Sequence, residues 1–305
     1  MAGAQRLGII GTGPWARAVH IPAAAASARL SLTGVLGRDP ERAAAAAAGT
    51  SASPFAALDE FLEEVDVVGF AVPPEVQAGL AETAVLAGKH VLLEKPVAVS
   101  PDAATALAAL AEARGIRSLV FFTHLFSPDF AAWAERARED GPWTHGRVES
   151  YSSTLVDAGN VFHGSQWRHE RGALWDVGPH AVAQLCSVLG PVASVLARRG
   201  AGDFVSMVLE HTAGAVSTVS VAADLPVAVP GGTSLIGPRG RTSPPAIADW
   251  NATARVAYTA ALAQLADEIE NGAGAHLSNL SFGTHVTRVL AAAERSATST
   301  RAETP

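Results

Sequence analysis

The first 122 residues alternate short apolar runs with stretches of helical composition, and this alternation constrains the fold more than any other feature. Such an order is typical of a parallel sheet whose two faces are covered by helices. The predicted strands are Leu7–Ile10, Leu32–Leu36, Val65–Val72, His90–Leu93 and Ser118–Phe122. The predicted helices are Pro14–Ala26, Pro40–Ala48, Phe55–Glu63, Glu75–Ala87 and Pro101–Arg114. Residues 1–122 are therefore expected to form a doubly wound α/β domain.

The pattern changes after this point, and residues 123–305 are expected to form a second α/β domain. A helix near Asp129–Glu139 precedes an extended piece, Arg147–Thr154, which is followed by a loop rich in Gly, His and Trp that extends to Leu174. The later elements are a buried helix, four strands and two helices, predicted at Pro179–Leu189, Ala193–Arg199, Phe204–Glu210, Ala215–Ala222, Thr233–Ile236, Thr253–Glu270 and Phe282–Ala297. The apolar outer face of Ala215–Ala222 favours coverage by a partner subunit. Thr298–Pro305 lacks an apolar anchor and is expected to fray.

Composition and charge exclude several classes of protein. The chain has 305 residues and a net charge of −7, and its Lys and Arg residues are scattered, which argues against nucleic-acid binding. No run of about 18 strongly apolar residues occurs, so no membrane span is predicted. The strand-like start indicates no export signal, and the single cysteine, Cys186, allows no intrachain disulfide. We therefore expect a cytoplasmic protein, and we predict no metal site, because no His, Cys or acidic spacing matches one.

A glycine turn lies directly after the first predicted strand, in the segment Gly11-Thr12-Gly13-Pro14-Trp15-Ala16. Gly11 permits a tight turn, Gly13 lets the main chain approach a pyrophosphate, and Ala16 takes the third glycine position where helix and strand meet. The amide groups of the helix N-terminus favour phosphate. We therefore expect Gly11, Thr12, Gly13, Pro14 and Trp15 to bind a nucleotide, and an ordinary structural turn is the alternative.

The end of the second strand bears on the choice of nucleotide. An acidic residue at this point accepts a hydrogen bond from the ribose 2′-hydroxyl of NAD. Here the chain reads Leu36-Gly37-Arg38-Asp39, with no carboxylate at the tip. A 2′-phosphate then has room, and Arg38 is suited to bind it with two hydrogen bonds. The sequence favours NADP over NAD, and a solvated Arg38 beside Asp39 is the alternative.

Two further segments carry groups that are suited to proton and charge chemistry. Glu94-Lys95-Pro96 follows a strand end, where open α/β sheets bind ligands, and Lys95 there is suited to stabilise negative charge on a substrate oxygen. The alternative is a solvated Glu-Lys ion pair.

Asp176 and His180 lie four residues apart at the start of a helix, so both side chains can reach one point, and histidine suits proton transfer near neutral pH. The alternative is a capping Asp176 and a core His180.

With these motifs in order, the chain resembles the Gfo/Idh/MocA oxidoreductases over nearly its whole length. The resemblance rests on Gly11–Ala16, on Ala87–His90 leading into Glu94-Lys95-Pro96, and on Gly172–His180. It implies a Rossmann domain, a second domain with an open, mostly antiparallel sheet, a nicotinamide cofactor, and dimers or tetramers packed through that sheet. It also implies that Lys95 and His180 act on the substrate oxygen with Asp176 in support. We further assign Pro73, Glu94 and Lys95 to the cofactor site.

The expected substrate is a sugar, a cyclitol or a similar small polyol, oxidised or reduced at a hydroxyl-bearing carbon. We predict that His124, Trp167, Arg168 and Trp175 line its pocket. The chain departs from the family pattern at Val72–Glu75, at His124–Pro128 and at Ala183-Gln184, and these departures bear on the substrate. Two other functions stay open: an NAD-dependent glycosidase of the same fold, and a cofactor-binding sensor without chemistry. The complete set of Lys95, Asp176 and His180 argues against the sensor.

Overall fold

The computed structural model describes residues 5–227, 229–272, 274 and 276–305. The chain forms two compact units. The first unit holds the chain up to Ser127 together with Ile247–Thr284, and the second holds Pro128–Ala246 together with His285–Pro305. The division that we predicted after residue 122 did not anticipate this return of the chain to the first unit.

The first unit contains a parallel sheet of six strands in the order β3-β2-β1-β4-β5-β6. The strands are β1 (Gln5–Ile10), β2 (Leu30–Leu36), β3 (Ser53–Phe55), β4 (Val67–Phe70), β5 (His90–Glu94) and β6 (Ser118–Phe121). Leu7, Ile9, Val67 and Leu92 are fully buried, as expected for strands with helices on both faces. The predicted doubly wound α/β fold is therefore confirmed.

The helices of this unit follow the predicted boundaries closely in most places. A π-helical turn, Ala16–His20, precedes α1 (Ile21–Ala25), and the next helices are α2 (Pro40–Ala47), α3 (Leu58–Glu63), α4 (Pro74–Leu86), α5 (Pro101–Ala113) and α6 (Thr123–Phe126). The predicted helix start at Phe55 is wrong, because Ser53–Phe55 pairs with β2 as the edge strand β3 and α3 begins at Leu58. A strand of three residues is too short for sequence periodicity to reveal.

The sheet of the second unit has six strands in the order β12-β11-β7-β10-β9-β8. The strands are β7 (His145–Tyr151), β8 (Val192–Arg199), β9 (Val205–His211), β10 (Val216–Ala222), β11 (Gly232–Gly237) and β12 (Gly240–Thr242), and the helices before β8 are α7 (Pro128–Asp140), α8 (Gln166–Asp176) and α9 (Gly178–Leu189). Among the described residues, β7 and β10 run parallel and the other neighbouring strands are antiparallel. A second α/β part with a mostly antiparallel sheet is thus confirmed.

The last nine residues of the loop predicted up to Leu174 are helical, because α8 begins at Gln166. An i, i+4 hydrogen bond of 2.7 Å from Gln166 to Glu170 supports its exposed face. Gly172 interrupts the helix with φ 66° and ψ −169°, and the chain then continues to Asp176. The Gly, His and Trp content that suggested a loop therefore reflects a kinked helix.

The last two helices are α10 (Trp250–Asn271) and α11 (Leu280–Ser299). Helix α10 belongs to the first unit, where Tyr258 is fully buried. The predicted fraying of the last residues is wrong, because Glu303 pairs with Val195 of β8 through two backbone hydrogen bonds of 2.9 Å. Within the part of the chain that the structure describes, no helix is both long enough and apolar enough to cross a membrane.

Candidate active site

The turn after β1 has the backbone geometry that its glycines suggested. Gly11 has φ +132°, and a Cβ atom there would lie 2.4 Å from the carbonyl oxygen of Ala71, so only glycine fits. A Cβ atom on Gly13 would meet nothing within 4 Å, so the main chain at this point is open to a close approach. These two features fit the pyrophosphate of a dinucleotide, which needs a tight turn followed by an accessible main chain.

The other residues predicted for the nucleotide lie at the same edge of the first sheet. Arg38 comes shortly after β2, Pro73 shortly after β4, and Lys95 directly after β5, so all of them lie at the carboxyl ends of parallel strands. The strand order reverses between β1 and β4, since the chain extends the sheet from β1 in one direction and from β4 in the other. Ligands of open α/β sheets bind at such a reversal.

The tip of β2 leaves no space for an acidic side chain. A Cβ atom on Gly37 would lie 2.6 Å from Cγ2 of Thr12. The carboxylate of Asp39 faces its own helix, where it accepts hydrogen bonds from the backbone amides of Glu41 (2.9 Å) and Arg42 (3.3 Å). Arg38 is exposed, and its guanidinium makes no hydrogen bond or ion pair with the described residues. Arg38 is therefore exposed to solvent, as its alternative interpretation expected, and it does not bind Asp39.

Glu94 is buried, with 8% of the residue exposed, so it does not form the solvated pair with Lys95 that was the alternative. Its Oε1 accepts hydrogen bonds from Nε1 of Trp15 (2.7 Å) and Nε2 of His20 (2.8 Å). Its Oε2 accepts one from the backbone amide of Lys95 (3.1 Å). Lys95 itself is partly exposed at the end of β5.

Two residues of this first-unit arrangement, His20 and Gln77, were missed by sequence reasoning. Gln77 is fully buried, and its amide nitrogen donates to the carbonyl oxygens of Glu94, Pro96 and Val97 at 2.7, 3.0 and 3.2 Å. Trp15 and His20 are five residues apart, the spacing that a π-helical turn brings together. That spacing is the one sequence signal for His20, and no local signal points to Gln77.

His124, which was predicted to contact substrate, lies in the short helix α6. Burial lowers the pKa of its imidazole to about 4, so the ring is uncharged at neutral pH. Its ring centroid lies 5.3 Å from that of Trp250 at the start of α10. An uncharged imidazole in contact with an indole is suited to hydrogen bonding with a hydroxyl group.

In the second unit, Asp176 is buried at the end of α8. Its Oδ2 accepts a hydrogen bond of 3.1 Å from Nε of Arg168, whose guanidinium lies 4.4 Å and 4.6 Å from the ring centroids of Phe162 and Trp167. The alternative that Asp176 caps the next helix is wrong, because Val177 occupies that position without a side-chain hydrogen bond. Arg168 and Trp167 were predicted to contact the substrate. In the structure Arg168 binds the carboxylate of Asp176, and Trp167 contacts the guanidinium of Arg168.

The segment that carries Asp176 is anchored by Asp203, which sequence reasoning also missed. Oδ2 of Asp203 accepts a hydrogen bond of 2.7 Å from the amide of Ala173, directly after the kink. A Cβ atom on Gly172 would lie 2.1 Å from Oδ1 of Asp203. Asp203 is itself held by Asp224, which accepts a hydrogen bond of 2.9 Å from its amide. No local pattern reveals Asp203, because it lies 30 residues from Ala173 along the chain.

His180 and Trp175 flank Asp176 along the chain. His180 is partly exposed in the first turn of α9, whereas Trp175 is only 1% exposed and its indole Nε1 has no hydrogen-bond partner among the described residues. Lys95 belongs to the first unit, and Asp176 and His180 belong to the second. Among the described residues, no group of three or more His, Cys, Asp and Glu side chains is placed to hold a metal ion.

Comparison with known proteins bears on both parts of the chain. A family model described as "Oxidoreductase family, NAD-binding Rossmann fold" matches residues 5–122. The chain is 31% identical over 192 residues to dTDP-3,4-didehydro-2,6-dideoxy-alpha-D-glucose 3-reductase of Streptomyces antibioticus, covering 61% of this chain and 57% of that protein. It is 38% identical over 110 residues to UDP-N-acetylglucosamine 3-dehydrogenase of Acidithiobacillus ferrooxidans, covering 36% of this chain and 34% of that protein.

The match to these curated relatives thus spans about a third to somewhat over half of their length. The similarity in fold to a solved structure extends over the whole chain. The crystal structure of GenD2 from gentamicin A biosynthesis, in complex with NAD, superposes with a TM-score of 0.84 at 24% identity. That superposition covers 100% of this chain and 97% of GenD2. Residues 5–122 thus match the Gfo/Idh/MocA family of oxidoreductases with an NAD-binding Rossmann fold, the family that the motifs of the sequence resemble.

Proposed function

We propose that the protein is an NAD(P)-dependent oxidoreductase that acts on a CH–OH group of a sugar, a cyclitol or a similar polyol. The observation that carries this proposal is the accessible main chain at Gly13, at the same sheet edge as Lys95. The curated relatives named above support the substrate class, since both names describe enzymes that act on nucleotide-linked sugars.

In this proposal Gly11, Thr12, Gly13, Pro14, Trp15 and Pro73 border the dinucleotide. A bound nicotinamide supplies the hydride acceptor or donor. The ammonium group of Lys95 stabilises negative charge on the substrate oxygen, and His180 exchanges the proton of that oxygen. Asp176, held by Arg168, orients the imidazole. His124, Trp167 and Trp175 remain candidates for substrate contacts.

A matched pair of lysine variants would test these roles. The whole sequence contains two lysines, Lys89 directly before β5 and Lys95 directly after it. We expect Lys95→Met to lower turnover about 10²-fold, because it removes the cation near the reacting oxygen, and Lys89→Met to leave turnover unchanged. His180→Ala should lower turnover about 10²-fold or more. The measurement is nicotinamide absorbance with a series of sugars and polyols.

Equal loss in the two lysine variants would contradict the role of Lys95. Turnover without any net change in nicotinamide absorbance would favour the glycosidase instead. Tight cofactor binding without turnover of any polyol would favour the sensor.

We further propose that the cofactor is NADP rather than NAD. Support comes from the tip of β2, where Thr12 leaves no space for a carboxylate at Gly37, and Arg38 is exposed without a partner in the described part of the chain. A guanidinium in this position is suited to a 2′-phosphate.

The test is a parallel titration with NADPH and NADH, followed by energy transfer from the tryptophans. We expect tighter binding of NADPH, and we expect Arg38→Ala to weaken NADPH about tenfold or more while NADH changes little. The control is Arg114→Ala, an exposed arginine after α5 and therefore at the opposite edge of the sheet. Equal affinity for the two cofactors would remove the 2′-phosphate argument.

We also propose that the protein forms a homo-oligomer through the outer face of the second sheet. Leu196, Val208, Val216 and Ile236 are 38–41% exposed, and the strand register places all four on one face. Thr218 lies between them, opposite Val208. An exposed apolar patch on a regular sheet is typical of a subunit interface.

A further inference from the structure

A buried polar cluster lies behind the dinucleotide turn of the first unit, and its centre is the carboxylate of Glu94. Three N–H groups donate to it: the indole of Trp15, the imidazole of His20 and the backbone amide of Lys95. A carboxylate only accepts, so His20 donates through Nε2. One carboxylate therefore connects the helix that follows the glycine turn with the residue proposed to act on the substrate.

His20 is the most deeply buried donor of this cluster, with 0% of the residue exposed. Its ring centroid lies 4.1 Å from that of Tyr258 and 6.0 Å from that of Phe121. Burial, followed by the charge of Glu94, raises the pKa of the Tyr258 hydroxyl well above its ordinary value, so this residue stays uncharged. Because His20 and Tyr258 are fully buried beside Glu94, each hydrogen bond to the carboxylate matters more than it would at the surface.

The main chain on either side of Lys95 is held separately from the carboxylate. Gln77 accepts from the amide of Glu94 at 2.9 Å and donates to the carbonyl oxygens of Glu94, Pro96 and Val97. The amide of Lys95 is bound by Glu94 itself. Glu94 thus binds the backbone of Lys95 through Oε2, while His20 and Trp15 bind the other oxygen of the same carboxylate.

We propose that His20 is a positioning residue that acts through Glu94 to orient Lys95 relative to the dinucleotide turn. The proposed effect passes through the hydrogen bond of 2.8 Å from Nε2 of His20 to Oε1 of Glu94. The substrate-directed part of this inference rests on the proposed function, whereas the orientation of Lys95 can be measured without any substrate.

Two variants separate the hydrogen bond from the packing of the ring. His20→Leu fills the space and removes the donor, whereas His20→Gln carries an N–H at about the reach of Nε2. Lys95 orientation is read from pulse labelling with acetic anhydride and peptide mass spectrometry. Because the chain has two lysines, Lys89 serves as the internal standard for Lys95 within the same protein.

We expect His20→Leu to raise the Lys95:Lys89 labelling ratio about threefold or more, because a released strand end exposes the ammonium group. Turnover should fall about 10²-fold, as for other misplaced reacting groups, while the Kd for NADPH changes less than about threefold. His20→Gln should restore both values to within about threefold of wild type. If His20→Leu does not fold, His20→Asn is used, since its shorter side chain stays polar but does not reach Oε1.

An unchanged labelling ratio in a folded His20→Leu or His20→Asn variant would overturn the proposal and leave His20 a purely structural residue. Failure of His20→Gln to restore the ratio would overturn it as well. If wild type turns over no substrate, the proposed function fails, but the labelling ratio still decides whether His20 orients Lys95.

Discussion

His124 and Glu94 illustrate at the residue scale how burial changes the chemistry expected from residue type. Histidine ordinarily titrates near neutral pH, yet burial lowers the pKa of His124 to about 4. A Glu-Lys pair at a strand end is ordinarily solvated, yet Glu94 is buried and accepts three N–H groups. Burial also raises the pKa of the Cys186 thiol to about 12, so this cysteine is unreactive in the folded chain. Residue types at these positions were readable from the sequence, but their surroundings were not.

The lowered pKa of His124 leads to a prediction about stability against pH. The unfolded chain binds a proton at this residue near pH 6.5 and the folded chain only near pH 4, so its contribution to the free energy of unfolding is complete above pH 6.5 and falls as pH decreases towards 4. When the pH is lowered from 7.5 to 5, we expect the free energy of unfolding of His124→Phe to fall by about 2 kcal/mol less than that of wild type. Urea unfolding at the two pH values measures this difference, and parallel losses in the two proteins would contradict it.

At the scale of elements, the kink in α8 decides where Asp176 lies. Gly172 adopts a backbone conformation that side chains rarely take, and Asp203 occupies the space where a Cβ atom would be. The helix pattern of the sequence could not reveal this, because the glycine alone suggested a loop and Asp203 comes from a distant part of the chain. The N-terminal ends of α2 and α5 were easier to predict from the sequence, since Asp39 and Ser100 cap them directly before a proline.

We predict that Gly172→Ala lowers the free energy of unfolding by about 2–4 kcal/mol, because it adds backbone strain and displaces Asp203 from the amide of Ala173. Gly164→Ala is the matched control, since a Cβ atom there meets nothing within 4 Å and its φ is not positive. That control should cost less than about 1 kcal/mol. Thermal or urea unfolding compares the two variants, and similar losses would show that the contact with Asp203 does not matter.

For the whole molecule, the order and direction of the strands in each sheet decide which side chains lie together. Parallel strands in the first unit bring Gly11, Gly37, Pro73 and Lys95 to one edge. The second sheet instead leaves one face with exposed apolar side chains, whose register is regular across β8, β9, β10 and β11. In the proposed interface, the strands of the sheet alone supply the contacting side chains.

We predict that Val208→Lys prevents the proposed homo-oligomer from forming, because a charge at the centre of an apolar interface is desolvated without a partner. Val256→Lys is the control, since Val256 is 54% exposed on α10. Sedimentation velocity measures the mass of each protein. An unchanged mass for Val208→Lys, or a monomeric wild type, would contradict the proposed interface.

The doubly wound fold, the glycine turn and the motifs that carry Lys95, Asp176 and His180 could be read from the amino-acid sequence alone. These features follow from local periodicity and from residue types at short spacing, so neighbours in the sequence carry the information. The groups around these features became visible only in the folded chain: His20 and Gln77 around Glu94, Asp203 beside Gly172, and Glu303 on β8. Each of these contacts joins residues 17 to 108 positions apart, and packing rather than local preference brings such residues together.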